Sequence, residues 1–85
     1  MKQRRFFTKI TTDSRNVKLF VLLIDDKNKT FHELLLTEGF AKETSEAMGL
    51  IIDGSPLIQE ISEKEAQRLY PLIDISDLIS EYENE

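Results

Sequence analysis

The residues able to do chemistry are one histidine, sixteen carboxylates, eleven lysines and arginines, and no cysteine. Histidine catalysis needs a nucleophile to activate and a group that orients the ring. His32 stands between Phe31 and Glu33, with no nucleophile placed beside it by spacing, and reads as a structural or capping residue. Without cysteine, a metal would rest on carboxylates and this one imidazole. Asp25-Asp26 lacks the alternating ligand spacing of a calcium loop and reads as a solvated turn. Asp13 and Arg15 suit a phosphate-processing site, but no other residue completes one, and a turn explains both. The three glycines are isolated at positions 39, 49 and 54, so no phosphate-cradling loop is present. No carboxylate pair is singled out by an apolar setting, as glycosidic chemistry would require. The expectation is a chain without catalytic residues, metal ligands or cofactor.

Two surfaces could bind a macromolecule. The first is the basic, aromatic N-terminal stretch with Lys2, Arg4, Arg5, Phe6, Phe7 and Lys9. Cations beside exposed aromatic rings suit single-stranded nucleic acid on an open sheet. Phe6 and Phe7 point to opposite faces of a strand, so at most one is free to stack. Arg4, Arg5, Lys9, Arg15 and Lys18 are the candidate contacts of that reading. The second is a C-terminal stripe. Ile75, Leu78, Ile79 and Tyr82 recur at the spacing of one helical face. The stripe either packs on the chain's own core or anchors a protein partner, a second copy included, within a rim of Asp74, Asp77 and Glu81.

These residues need elements to position them. Residues 5–12 alternate as a strand, with Phe6, Thr8, Ile10 and Thr12 on one face and Phe7, Lys9 and Thr11 on the other. Asp13-Ser14-Arg15-Asn16 has the composition of a turn. Val17–Ile24 is the strongest strand. Only Lys18 in it is polar, so it should be central, covered on both faces and paired antiparallel with the first. After the polar turn at 25–29, a helix is expected through Leu34-Leu35-Leu36. Its start is either a Thr30/Glu33 capping box or a point after His32, with Thr30 and Phe31 closing a short third strand. Gly39 suits the left-handed position that ends a helix. Residues 41–49 extend as a polar helix interrupted by Gly49. Asp53-Gly54 and Ser55-Pro56 are breaks. Ser62/Glu65 opens a further helix that ends by Tyr70, and Asp74 to Asp77 caps the last.

Composition bounds the rest. Eighty-five residues with 40% apolar and 32% charged side chains suit one small globular domain, 1–85. The longest apolar run, Leu19 to Ile24, is far short of the roughly 20 residues of a membrane-spanning helix. No signal-peptide core follows the basic N-terminus. The expectation is a cytoplasmic protein without a membrane partner. Charge divides it: residues 1–42 hold nine Lys/Arg against five Asp/Glu, and residues 43–85 hold two against eleven.

Residues 17–42, VKLFVLLIDDKNKTFHELLLTEGFAK, resemble the strand–turn–helix segment of staphylococcal-nuclease-like domains, which also ends the nuclease-like half of extended Tudor domains. The match is best over Leu35-Leu36 and Gly39-Phe40-Ala41, with His32 where that pattern has Asn. The resemblance implies a helix at His32–Ala41. It does not imply nuclease activity, because the family's catalytic segments lie upstream and are missing. No segment resembles the aromatic cage that holds methylarginine.

Together these readings predict an α+β fold: a small antiparallel sheet of two or three strands with a packed helix (1–42), then a helical acidic half (43–85). Its expected core is Phe6 or Phe7, Ile10, Leu19 to Ile24, Leu34, Leu35 and Phe40. The function expected is a non-enzymatic protein-interaction or scaffold module, with nucleic-acid binding or an inactive nuclease-like remnant as alternatives.

Overall fold

The computed structural model describes residues 2–10 and 18–84. Its elements are β1 (Lys2–Lys9), β2 (Lys18–Asp25), β3 (Thr30–Thr37), β4 (Phe40–Glu43), α1 (Glu46–Ile52), β5 (Ile58–Ile61), α2 (Glu63–Leu69) and α3 (Ile75–Glu83). The strands form one antiparallel sheet in the order β4-β3-β2-β1-β5. The expected α+β class is present, but the sheet has five strands rather than two or three.

The extra strands have identifiable causes. The leucine segment is strand β3, not a helix. Its odd positions, Phe31, Glu33, Leu35 and Thr37, share one face, and His32, Leu34 and Leu36 share the other. Both faces are covered around Leu34 to Leu36, and an apolar run buried on two sides looks the same in a strand and in a helix. Gly39, at φ +90°, closes a two-residue hairpin turn between Thr37 and Phe40 rather than a helix. The helix implied at His32–Ala41 by the nuclease-like resemblance is therefore a β-hairpin. The expected polar helix at 41–49 splits into β4 and α1, and Gly49 lies within α1. Strand β5 comes from the acidic half and pairs with Phe6 to Lys9, so the sheet joins both halves of the chain. The expected turn at Asp13–Asn16 lies outside the described residues.

β2 is central and covered on both faces, as its composition requires. On one face, Phe6, Leu19, Val21, Leu34 and Leu36 meet Ala66 of α2 and Ile75, Leu78 and Ile79 of α3. On the other, Phe7, Phe20 and Leu22 meet Ala47 of α1, with Leu35, Met48, Ile51 and Ile58 packed around them. Both phenylalanines of β1 are thus core, one per face. Burying each large apolar side chain contributes about 1.5–3 kcal/mol relative to exposure. Ile10 and Phe40, expected in the core, are instead exposed. Phe40 is the first residue of an edge strand.

The short helices are fixed at their starts. The Ser62 hydroxyl accepts from the Glu65 amide at 3.0 Å, and Asp74 accepts from the Asp77 amide at 3.1 Å. Ser45 makes no such bond for α1. Glu33 does it from β3: its carboxylate accepts from the amides of Ala47 (2.9 Å) and Met48 (2.8 Å) and from the Thr44 hydroxyl at 2.5 Å. That network explains how a glutamate is only 4% exposed in the middle of a sheet face.

Candidate functional site

β1, β2 and β3 are eight residues long, but β4 and β5 are only four. β4 pairs with Leu34 to Thr37 and β5 with Phe6 to Lys9, which lie at the same end of the sheet. The other end, Lys2–Arg5, Leu22–Asp25 and Thr30–Glu33, is a three-stranded tip. Among the described residues neither of its outer edges carries a strand partner.

The two edges of this tip differ. The β1 edge carries Arg4 and Arg5, and charged side chains discourage strand pairing there. Arg5 is held by Glu60, with Nη2 to Oε1 at 2.6 Å and Nε to Oε2 at 2.9 Å, and lies over the Phe7 ring at 5.6 Å. The β3 edge carries Phe31, which is 45% exposed, beside Thr30 and His32. Backbone groups alternate in direction along an antiparallel strand. The Glu33 carbonyl accepts from the Thr44 amide at 3.0 Å, on the β4 side. Two residues earlier, the N–H and C=O of Phe31 point the same way, past the end of β4.

Two hollows flank this open edge. A groove of about 480 Å³ runs beside it, lined by Phe31, His32 and Glu33 against Glu43, Thr44, Ser45 and Met48. A cleft of about 870 Å³ opens on the α2/α3 face, between the strand tip (Arg4, Leu23, Asp25, Thr30) and Glu63, Tyr82 and Glu83. His32 belongs to both.

His32 is fixed between them. Its Nδ1 is 3.0 Å from Glu43 Oε1 and 3.1 Å from the Tyr82 hydroxyl, which itself donates to Glu43. The His32 and Tyr82 rings meet edge to face at 5.7 Å. The bonds from Tyr82 and His32 hold the Glu43 carboxyl below its ordinary range, so Glu43 is anionic at neutral pH. A histidine oriented by a carboxylate is half of a nucleophile-activating constellation. Among the described residues no serine or threonine hydroxyl is bonded to this ring, and what the cluster does visibly is tie the end of α3 to β3 and β4. Among the described residues no group of three His, Cys, Asp or Glu is placed to hold a metal ion.

The residues singled out from the sequence are distributed otherwise than expected. Ile75, Leu78 and Ile79 are buried against the sheet, so they are core and not anchors for a partner in the folded chain. Asp74 caps α3, while Asp77 and Glu81 are exposed around a stripe that is already filled. Only Tyr82 of that set reaches the cleft. Of the candidate nucleic-acid contacts, Arg4 lies 3.7 Å from Glu63 and 3.8 Å from Glu83, and Arg5 pairs with Glu60. Lys9 and Lys18 both meet Glu46. These four cations are internally neutralised, Phe6 and Phe7 are buried, and Arg15 lies outside the described residues. Phe31, Glu33 and Glu43 were not expected at a site. No periodicity marks them: both faces of β3 mix polar and apolar residues, and its three consecutive leucines conceal the strand.

No helix among the described residues is long and apolar enough to cross a membrane. No family model, no curated protein and no solved structure matches the chain.

Proposed function

We propose that the chain is a non-enzymatic protein-binding module that takes an extended segment of a partner onto the open half of β3. One observation carries this reading: β4 stops at Glu43, opposite Leu34, and leaves Phe31 with outward backbone groups, an exposed ring and a groove alongside. An added strand would lie in line with β4 and complete the sheet. Main-chain hydrogen bonds supply the affinity of such additions, and pockets for alternate side chains supply the selectivity. The expected acidic helical surface does not serve, because its anchors are core. Nucleic-acid binding is the weaker reading, since Arg4, Arg5, Lys9 and Lys18 are paired and its rings are covered.

Selection of displayed random linear peptides against the folded chain tests the reading, followed by amide chemical-shift mapping. Selected peptides should shift the amides of Phe31 and Glu33. They should lose binding to Phe31→Pro, which removes an outward N–H without removing a ladder bond to β2. The melting temperature of Phe31→Pro should stay within a few degrees of the parent. Peptides that map elsewhere, or that bind Phe31→Pro equally well, overturn the proposal.

A further inference from the structure

We infer that the occupant of the β3 edge is a basic strand, with cationic and apolar side chains alternating. This rests on the edge-binding reading above and adds the chemistry of the partner. Side chains of an added strand would alternate faces as those of β3 do. The residue opposite Phe31 would turn to the α1 face, where Phe31 and Met48 line the groove. Its neighbours would turn to the α2/α3 face, where His32 and Glu43 stand, with Glu83 beyond them.

The charge there has one sign. Among the described residues the groove is lined by Glu33 and Glu43 and by no lysine or arginine. Glu33 is spent on the start of α1, but Glu43 is exposed, and its bonds to Tyr82 and His32 leave it ionised. In the cleft, Arg4 lies 3.7 Å from Glu63 and 3.8 Å from Glu83. Glu43 therefore places an anion beside the edge, on the face that receives every second side chain. A cationic side chain there meets opposite charge, and an acidic one meets like charge, which penalises the wrong partner.

The probe is acetyl-Lys-Val-Lys-Val-Lys-amide, compared with its Glu-Val counterpart and with a version N-methylated at both valines. Each is titrated into the full chain at low and at physiological salt, with amide shifts and affinity recorded. The Lys-Val peptide should shift Thr30–Glu33 and Thr44–Met48. It should bind at least about tenfold more tightly than the Glu-Val peptide at low salt, by a ratio that shrinks as salt screens the charges. Glu43→Gln should reduce that ratio, and N-methylation should abolish binding. Equal binding of the two peptides at these amides overturns the charge inference and leaves the edge reading standing. Binding that is indifferent to N-methylation, or that maps elsewhere, overturns the edge reading itself. Binding by neither peptide overturns the inference. Concentration-dependent shifts of these amides without peptide identify a second copy as the occupant, and also overturn it.

Discussion

The same three strands are closed at one end and open at the other. At the closed end, Phe6, Phe7, Leu19, Phe20, Val21, Leu34 and Leu36 are buried, helices lie on both faces, and β4 and β5 satisfy the outer edges. At the open end, Gln3, Arg4, Arg5, Thr30, Phe31 and His32 are exposed, and Leu23 and Ile24 are half-covered. Leu22 and Glu33 are the exceptions, buried toward α1. The difference teaches where stability and recognition separate. Hydrophobic burial holds the fold from one end, so the other can keep unpaired backbone and an exposed ring without endangering it. Regions with few buried contacts are those that open most easily, and binding edges are drawn from them.

The sharpest way to break this comparison is to place a carboxylate in each half. Ile79 is 0% exposed under the closed half, and Phe31 is 45% exposed at the open one. Ile79→Asp removes a core side chain and buries an unpaired charge, with a cost of at least about 4 kcal/mol. That is comparable with the whole stability of a domain this small, about 4–13 kcal/mol at the usual range per residue. The variant should lose its cooperative thermal transition. Phe31→Asp should change stability by less than about 0.5 kcal/mol. Similar melting curves for the two would show that the halves are not energetically distinct.

Glu33 sits on the boundary, and it sharpens the picture. Its carboxylate supplies the acceptors for the Ala47 and Met48 amides that α1 cannot supply for itself. Glu33→Leu matches the apolar setting but leaves those amides unpaired, at roughly 2–3 kcal/mol. Glu33→Gln keeps one good acceptor and should cost less than half as much. Chemical denaturation of both variants distinguishes a capping carboxylate from a tolerated one. A Glu33→Leu variant as stable as the parent would show that water satisfies α1 equally well.

Glu33 also shows why part of the fold was illegible. From the sequence, Thr30 and Glu33 form the spacing of a capping box, and three leucines follow. The glutamate does satisfy helical amides, but those of a helix that starts at Glu46. Capping spacing is local information, and the partner here is not local. Gly39 misled in the same way, since a left-handed glycine ends a helix or turns a hairpin equally well. β5, Ile-Gln-Glu-Ile, is too short to show alternation and exists because β1 needs an outer partner. What the sequence did carry was β2, whose two apolar faces require cover on both sides, and α3, whose stripe and Asp74 cap specify a one-sided helix. The open edge could not be read at all. It is an absence of pairing, visible only once the lengths and registers of five strands are known.

The smallest effect concerns how the closed half treats its own charge. Lys9 and Lys18 are cross-strand partners on the α1 face, and like charges directly opposite one another are unfavourable. Glu46, in the first turn of α1, lies against both. Bonding to Lys9, with a lesser part from Lys18, holds its carboxyl below the ordinary value of 4.5, against the opposing pull of desolvation. A carboxylate whose folded value is depressed contributes stability that is present above about 4.5 and lost as pH falls through the lower folded value. Partial exposure keeps that contribution under about 1 kcal/mol. Glu46→Gln should therefore lower stability slightly at pH 7 and by less at pH 3, where protonation of the parent weakens the same interaction. Glu60 and Glu43 are depressed in the same direction, so the variant should still weaken in acid, but less steeply. Denaturation at the two pH values decides it. An equal gap between parent and variant at both would mean that Glu46 acts through packing on the sheet rather than by separating the two lysines.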